Sequence, residues 1–523
     1  MTSIRIVGIH DNHNASVCLL EDGVIRFAVQ EERITRKKNY TGFPYRSLQM
    51  LLEYSSLTIE DIDLFAFGQI HNPPQYSKEE RLRWYGSSGS SKSKFIEVFR
   101  RSPFFSFYKS ASRKQRLRQM QQAGIPREKA LFVDHHLAHA SASYYGSFYD
   151  KNVERVLVLT LDGGGDGLCS SVYVGENGFL NKMAETKEGN SIGNVYSRTT
   201  FYMGMTPLEH EYKLMGMAPY AKGEYYSQIY EELRKLLYVD ELVFKRRTLF
   251  STFGIYPALR RIYTRERFDN ISGALQRFTE DLILTWVRTA ARKTGIRKLA
   301  LGGGVFMNVK ANKKIMELEE VENVFVFPSC GDESCSIGAA FHVYSQMCSD
   351  EGKETGEMKI TNLYRGPEYS DKEIEGELEE VVQSNEIKYT RCKDVGKTIA
   401  EMLTENKIVA RFYGKLEWGA RALGNRSILA NASNFLNVRH LNRAIKRRDF
   451  WMPFAPTMLK ERQDDYLVNP KNITAPYMVL AFDTTRKRDD IIAAVHPADL
   501  TARPQVLSTE DNSRYCVLLK KYE

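Results

Sequence analysis

Three of the ten histidines in this 523-residue chain fall within the stretch "VDHHLAHA", residues 133–140. Histidines four apart on a helix face the same way and can grip one ion, which makes His135 and His139 a ligand pair and leaves His136 as a support. Two imidazoles do not fill a coordination sphere, so a carboxylate has to come from another segment. Asp332, after a strand and at a helix start in "CGDESCSIGAA", and Asp162, ending the strand in "LTLDGGG", are the candidates. Such a donor set suits Fe(II), Zn or Mn. A hydrogen-bonded histidine cluster at a domain seam is the other reading of the same spacing.

Further residues could handle anions. In "GGGVFMNVKAN", Gly302, Gly303 and Gly304 between a strand and a helix would let backbone amides approach a phosphate or ribose, with Asn308 hydrogen-bonding to it; tight turns use the same residues. Lys213, two residues after Glu211 in "HEYKLMGMAPYAKG", either reaches a phosphate or forms an exposed ion pair. The segment 411–456 interleaves many arginines and lysines with Asn, Ser and aromatics. Its cations sit among apolar residues, as in "EWGARALGNRSIL", which favours a closed pocket for small phosphates over a nucleic-acid surface.

These residues need a scaffold. Residues 4–30 read as three strands joined by a polar turn and an Asp-Gly turn, and residues 155–183 repeat that design with a Gly-rich turn and a Glu-Asn-Gly turn. After the second copy come an amphipathic helix over 271–295, a buried strand at 298–304, a helix at 306–318, a strand at 323–328 and a helix at 334–347. Strands alternating with helices predict a parallel sheet covered on both faces. Two such halves point to an actin-like, sugar-kinase type α/β fold, which binds a nucleotide between its halves. Residues 86–128 interrupt the first half with a Ser/Gly loop and a basic stretch expected to be a solvated helix or lid. The polar run 349–358 is the expected boundary, giving domains 1–355 and 360–523.

Bulk properties exclude some classes. Hydrophobic content of 42% and charged content of 27% are ordinary for a globular protein, and a formal charge of +9 is compatible with anionic ligands as with nucleic acid. Seven scattered cysteines without a CxxC pair suggest neither a disulfide framework nor a thiolate zinc site. No leader and no apolar run of membrane length is present, so the expected location is the cytoplasm.

Taken together, "GIHDNHNASVCLLEDG", "EERITRKKNYTGFP", "VDHHLAHASASYY", "LDGGGDG", "YKLMGMAPY", "GGGVFMN", "CGDESCSIGAA", "EWGARALGNRSILA", "NRAIKRRDFWMPFAP" and "TARPQ" stand in order from residue 8 to 505. This set resembles the O-carbamoyltransferase family that includes nodulation protein U and cephalosporin 3′-hydroxymethyl carbamoyltransferase. The resemblance implies a duplicated actin-like N-terminal domain like the tRNA threonylcarbamoyl transferase, and a YrdC-like α/β C-terminal domain. It implies carbamoyl-adenylate made from carbamoyl phosphate and ATP, with Mg, in the C-terminal domain, and transfer of the carbamoyl group to a hydroxyl of a small natural-product or sugar acceptor in the N-terminal one.

By the same resemblance, His13 is the general base near the acceptor and Lys38 lies close to the nucleotide. His135, His139, Asp332 and Asp162 hold a divalent metal, Fe(II) ahead of Zn or Mn. Arg421, Asn425, Arg426, Ser427, Lys446, Arg448 and Arg503 bind carbamoyl phosphate and ATP. The chain departs from the family pattern at Asn14, Ala420, Asn431, Asp449 and Met452, and Asn14 leaves His13 without an adjacent carboxylate. The alternative is a tRNA threonylcarbamoyladenosine-type modifying enzyme. No membrane or nucleic-acid partner is expected, and a homodimer is left open.

Overall fold

The two turn signals close as tight reverse turns. Asp22 and Gly23 have φ of 49° and 79°, and Asn177 and Gly178 have 52° and 78°. Two successive residues at positive φ match the right-handed twist of the flanking strands, and Asn, Asp and Gly tolerate that conformation best. In this computed structural model, which describes residues 3–72, 77–87, 105–356, 358–384 and 388–523, each turn joins the last two strands of a meander.

The first meander is β1 (Arg5–His10), β2 (Ser16–Glu21) and β3 (Val24–Gln30). β4 (Leu64–Phe67) and β5 (Ala130–Phe132) extend it beyond β1 in parallel, giving the order β3-β2-β1-β4-β5. The second is β6 (Val156–Gly165), β7 (Leu168–Glu176) and β8 (Phe179–Lys187). After a separate hairpin of β9 (Leu237–Asp240) and β10 (Val243–Arg246), β11 (Lys298–Gly302) and β12 (Asn323–Val326) join β6 in parallel. The second order, β12-β11-β6-β7-β8, is the first one read from its other edge. The N-terminal region is thus a duplicated, actin-like α/β fold. The chain forms two compact units, Met1–Ile360 and Thr361–Glu523.

Covered sheet faces explain the unbroken apolar strands. Every residue from Val156 to Leu159, and Leu299 to Leu301, is fully buried. The helix Phe268–Thr294 buries Ile271, Leu275, Phe278, Leu282, Trp286 and Ala290, a face repeating every three to four residues. Trp286 donates its indole N–H to the Leu242 carbonyl at 2.7 Å, so the one polar atom of this buried ring is satisfied. Helices His135–Gly146 and Ser334–Asp350 pack against each other very closely: a Cβ on Gly338 would lie 1.8 Å from the Ala138 carbonyl oxygen. Only glycine permits that approach, and it brings the two helix N-termini together.

Two expectations change. Of the "GSSGSSKSK" stretch, Gly86 and Ser87 end the helix Lys78–Ser87 and residues 88–94 lie outside the described residues; the basic part forms the helix Phe105–Gln122 and is not wholly solvated. Arg116 is buried, its guanidinium on the Asp11 carboxylate, a pairing across the fold that a basic sequence run cannot reveal. The helix expected at 306–318 begins as a 3-10 turn, Gly304–Met307, and becomes α-helical only over Val309–Glu317, because the Asn308 side chain caps it through the Ala311 N–H.

The C-terminal unit carries short paired strands. Val409–Phe412 runs antiparallel to Arg426–Leu429, Thr457–Leu459 parallel to Gln505–Leu507, and Phe482–Thr484 lies between Leu467–Val468 and Thr501–Ala502. Its core gathers Ile399, Leu403, Leu459, Leu507, Tyr515 and Leu518. Among the described residues no helix is long and apolar enough to cross a membrane. All seven cysteines are free, and only Cys392 is exposed.

Candidate functional site

Asp134 caps the helix His135–Gly146 by accepting the Leu137 N–H at 3.0 Å, which starts the helix at the first histidine. His135 and His139 then share a face, their Nε2 atoms 3.2 Å apart. Asp162, where regular pairing of β6 with β7 stops, has Oδ2 3.4 Å from His135 Nε2. Asp332, just before the helix Ser334–Asp350, has Oδ1 3.8 Å from both Nε2 atoms. The four donor atoms lie within 4.8 Å of one another. The imidazoles are buried, while the carboxylate side chains are 13% and 19% exposed, so the cluster opens on its acidic side.

Outer contacts fix the inner ones. Ser334 Oγ lies 2.9 Å from His139 Nδ1, and Gly304 donates its N–H to Asp162 Oδ1 at 3.0 Å. Asp166 accepts the His135 backbone N–H at 2.9 Å. A Cβ on Gly165 would fall 2.2 Å from the His135 ring, so glycine is required there. His136 turns the other way, its Nδ1 2.8 Å from Thr160 Oγ1.

Charge strains the cluster. Burial and the neighbouring Asp162 push the Asp332 carboxyl up to about 8. Burial acts on Asp162 in the same sense, but the hydrogen bond and charge of His135 outweigh it and hold Asp162 below the usual carboxylate range. Two carboxylates pressed on one space with two imidazoles are relieved by a divalent cation, and this N and O donor chemistry fits Fe(II), Zn or Mn. Cys335 offers a second set with the same histidines. Burial pushes its thiol up to about 12, and its Sγ lies 3.9 Å from Nδ1 of His135, away from Nε2. A neutral thiol on the far side of the ring is the poorer ligand.

The other expected residues divide. His13 is half-buried, and burial, then the charge of Arg81, lower its imidazole to about 4, with Asp162 acting in the opposite sense. Asn14 does meet a carboxylate, its Nδ2 3.3 Å from Glu333 Oε2. Lys38 is exposed, with Nζ 5.8 Å from the Tyr212 ring centre, on the helix Glu211–Met217 that also carries Lys213. A Cβ on Gly302 would meet Ser143 Oγ at 2.3 Å and one on Gly303 the Leu161 carbonyl at 2.4 Å, so close packing demands these glycines. The Asn308 amide is occupied by Ala311 and, through two bonds of 3.0 Å, by Gln276. These contacts give Gly302, Gly303 and Asn308 work in the scaffold.

In the C-terminal unit the cations separate into two groups. Burial, then Arg421 and Arg448, hold the Arg503 guanidinium well below its ordinary range, and burial, then Arg448, lower Lys446. Arg503 thus feels the charges of Arg421 and Arg448, and Lys446 that of Arg448. Arg426 instead donates to the Tyr413 and Gly414 carbonyls at 2.7 and 3.0 Å, and Asn425 to the Lys415 carbonyl at 2.8 Å. Ser427 Oγ accepts the Gly424 N–H at 2.8 Å. The organiser of this loop is Glu417, whose buried Oε1 accepts N–H bonds from Leu423, Asn425 and Arg426 at 2.7–3.0 Å. Nothing in its local sequence separates Glu417 from a surface glutamate.

Residues 5–341 match the family profile of the carbamoyltransferase N-terminus, and residues 400–523 that of the carbamoyltransferase C-terminus. The chain belongs to the carbamoyltransferase family. It is an enzyme of that class. This carbamoyltransferase is 28% identical to nodulation protein NolNO of Sinorhizobium fredii, over 98% of its own length and 72% of that protein. It is 30% identical to protein MJ1051 of Methanocaldococcus jannaschii, over 98% of the chain and 90% of that protein. Among solved structures, full-length HypF in its phosphate- and nucleotide-bound form aligns with 68% of the carbamoyltransferase and 56% of its own chain, at 12% identity and a TM-score of 0.41.

Two features of the carbamoyltransferase site escaped the sequence reading. His10, the last residue of β1, is fully buried with its Nε2 3.9 Å from Asp332 Oδ2. Asp11 follows it, gripped by Arg116 and 3.1 Å from Asn72 Nδ2. The repeated meander was the available signal, since aligning the two copies sets Asp11 against Asp162.

Proposed function

We propose that this enzyme is an ATP-dependent O-carbamoyltransferase. Carbamoyl phosphate, ATP and water yield carbamoyl-adenylate, pyrophosphate and phosphate in the C-terminal unit; an acceptor hydroxyl oxygen then attacks the carbamoyl carbon, and the bond to AMP breaks. The observation that carries the reading is the convergence of His135, His139, Asp162 and Asp332 in one unit of a carbamoyltransferase, with the cations Arg421, Lys446, Arg448 and Arg503 in the other. A carbamoyl group is a poor electrophile until it carries a good leaving group, and AMP is one.

Arg421, Lys446, Arg448 and Arg503 would bind the phosphates of carbamoyl phosphate and ATP, while Lys38 and Lys213 would attend the phosphate of AMP. His13, neutral above about pH 4, can accept the proton of the acceptor hydroxyl at Nε2, which has no hydrogen-bond partner among the described residues. His135, His139, Asp162 and Asp332 would hold the divalent ion, and the ion would polarise the carbamoyl carbonyl as a Lewis acid. The acceptor is a small hydroxylated molecule of the natural-product or sugar class.

The test incubates the purified chain with carbamoyl phosphate, ATP and a panel of hydroxylated acceptors. Pyrophosphate release that requires carbamoyl phosphate, together with the added carbamoyl mass on one acceptor, is the expected result. ATP left intact in the presence of carbamoyl phosphate overturns the adenylate step.

A further inference from the structure

A buried imidazole without a well-formed hydrogen bond is costly, so it needs a reason. His10 is 0% exposed and neither ring nitrogen makes a well-formed hydrogen bond to any described residue. Its place is particular. It ends β1 with its ring centre 6.2 Å from that of His135, and Nε2 is 3.9 Å from Asp332 Oδ2. The other oxygen of the same carboxylate, Oδ1, is the one 3.8 Å from His135 and His139. Asp332 therefore stands between the two ligand histidines and a third imidazole, one oxygen toward each.

His10 does not belong to the ligand cluster itself, because it is absent from the group of donors lying within 4.8 Å of one another. Its Nε2 faces the outer oxygen, and the ring also meets the backbone of His13. We propose that His10 is a positioning residue of the metal centre: its Nε2–H holds Asp332 Oδ2 and thereby keeps Oδ1 aimed at the space between His135 and His139. A hydrogen bond needs roughly 2.7–3.2 Å, so Asp332 closes the gap by about 1 Å when its inner oxygen is engaged. Among the described residues no hydrogen bond reaches the Asp332 carboxylate from outside the cluster, whereas His139 has Ser334 and Asp162 has the Gly304 N–H. His10 supplies the missing outer contact. The inference rests on the metal reading of the four-residue cluster and adds a residue to it.

The test is metal affinity, measured by equilibrium dialysis of the full chain against Co(II), with the visible spectrum of the bound ion as a second readout. His10→Ala is expected to weaken Co(II) binding 10- to 100-fold, the usual cost of removing an outer contact of a metal ligand, with the ligand-field bands largely retained. His10→Gln, whose amide N–H can reach the same oxygen, restores most of the affinity. Wild-type Co(II) affinity in a folded His10→Ala protein overturns the assignment, and so does a lost affinity that Gln leaves unrestored. His139→Ala separates the two levels: if it too binds Co(II) normally, the metal reading fails, and if it loses the ion while His10→Ala keeps it, only His10 falls.

Discussion

The two copies of the meander carry an aspartate at the same place and use it in opposite ways. Ile6 of β1 lies opposite Leu64 and Leu157 of β6 lies opposite Leu299 in the parallel registers; five residues on from each stand Asp11 and Asp162. Asp11 is fully neutralised: Arg116 Nε is 2.6 Å from its Oδ2, Nη2 grips its Oδ1, and Nη1 donates to the Gln69 carbonyl at 2.8 Å. Among the described residues Asp162 is paired with no arginine or lysine; its partner is the His135 imidazole, and it faces His139 and Asp332. One copy closes its carboxylate with a built-in cation, and the other leaves it facing two imidazoles and a second carboxylate. Duplication supplied two acidic corners, and an inserted basic helix made the difference.

The largest expected effect comes from the open corner. Asp162→Asn keeps the shape and the Gly304 contact but removes a charge from the ligand cluster. Carbamoyl transfer should fall on the order of 10³-fold or more, since metal polarisation is worth several kcal/mol, while thermal stability changes little. Transfer within tenfold of wild type would mean that Asp162 is no closer to the chemistry than Asp11.

The closed corner should break the fold instead. Arg116→Met leaves the Asp11 carboxylate buried and unpaired, a change that costs about 3–5 kcal/mol. Urea unfolding reads it directly. The double variant Arg116→Met with Asp11→Asn removes both charges and should recover much of the loss; if it is as unstable as the single variant, the pair is not what holds this corner.

The two corners should also respond differently to chelation. Stripping metal removes RT ln(1 + [L]/Kd), about 2.7 kcal/mol when the free ion stands at 100 times its Kd. The wild type is expected to lose melting temperature on EDTA treatment, and Asp162→Asn to lose none. An equal drop in both would place the stabilising ion elsewhere.

What the sequence disclosed and withheld follows the range of each interaction. The meanders were legible because Asp22-Gly23 and Asn177-Gly178 are local turn chemistry, and His135 with His139 because spacing on one helix is local too. Asp332, nearly two hundred residues beyond His139, was a candidate only by its place between a strand and a helix, since no local spacing ties it to the histidines. Arg116 looked like one cation of a solvated run, since burial against Asp11 depends on a contact 105 residues away. Asn308 and the glycines at 302–303 looked like a phosphate loop because capping and close packing select the same residue types as anion binding. In the C-terminal unit the motif delivered seven polar residues together, and only their partners separate Arg421, Lys446, Arg448 and Arg503 from the loop-forming Asn425, Arg426 and Ser427.

The smallest effect sharpens the comparison two residues earlier. By the same registers Thr160 corresponds to Ile9, so Thr160→Ile makes the second copy resemble the first at that position. The substitution removes the hydroxyl 2.8 Å from His136 Nδ1 and leaves a buried imidazole without that partner. Stability should fall by about 1–3 kcal/mol, read from the urea midpoint. Metal affinity should stay at the wild-type value, because His136 faces β6 and its partner supports the helix rather than the ion. A variant that loses metal as well as stability would make His136 part of the coordination, and the division of the three histidines into a ligand pair and a support would have to be redrawn.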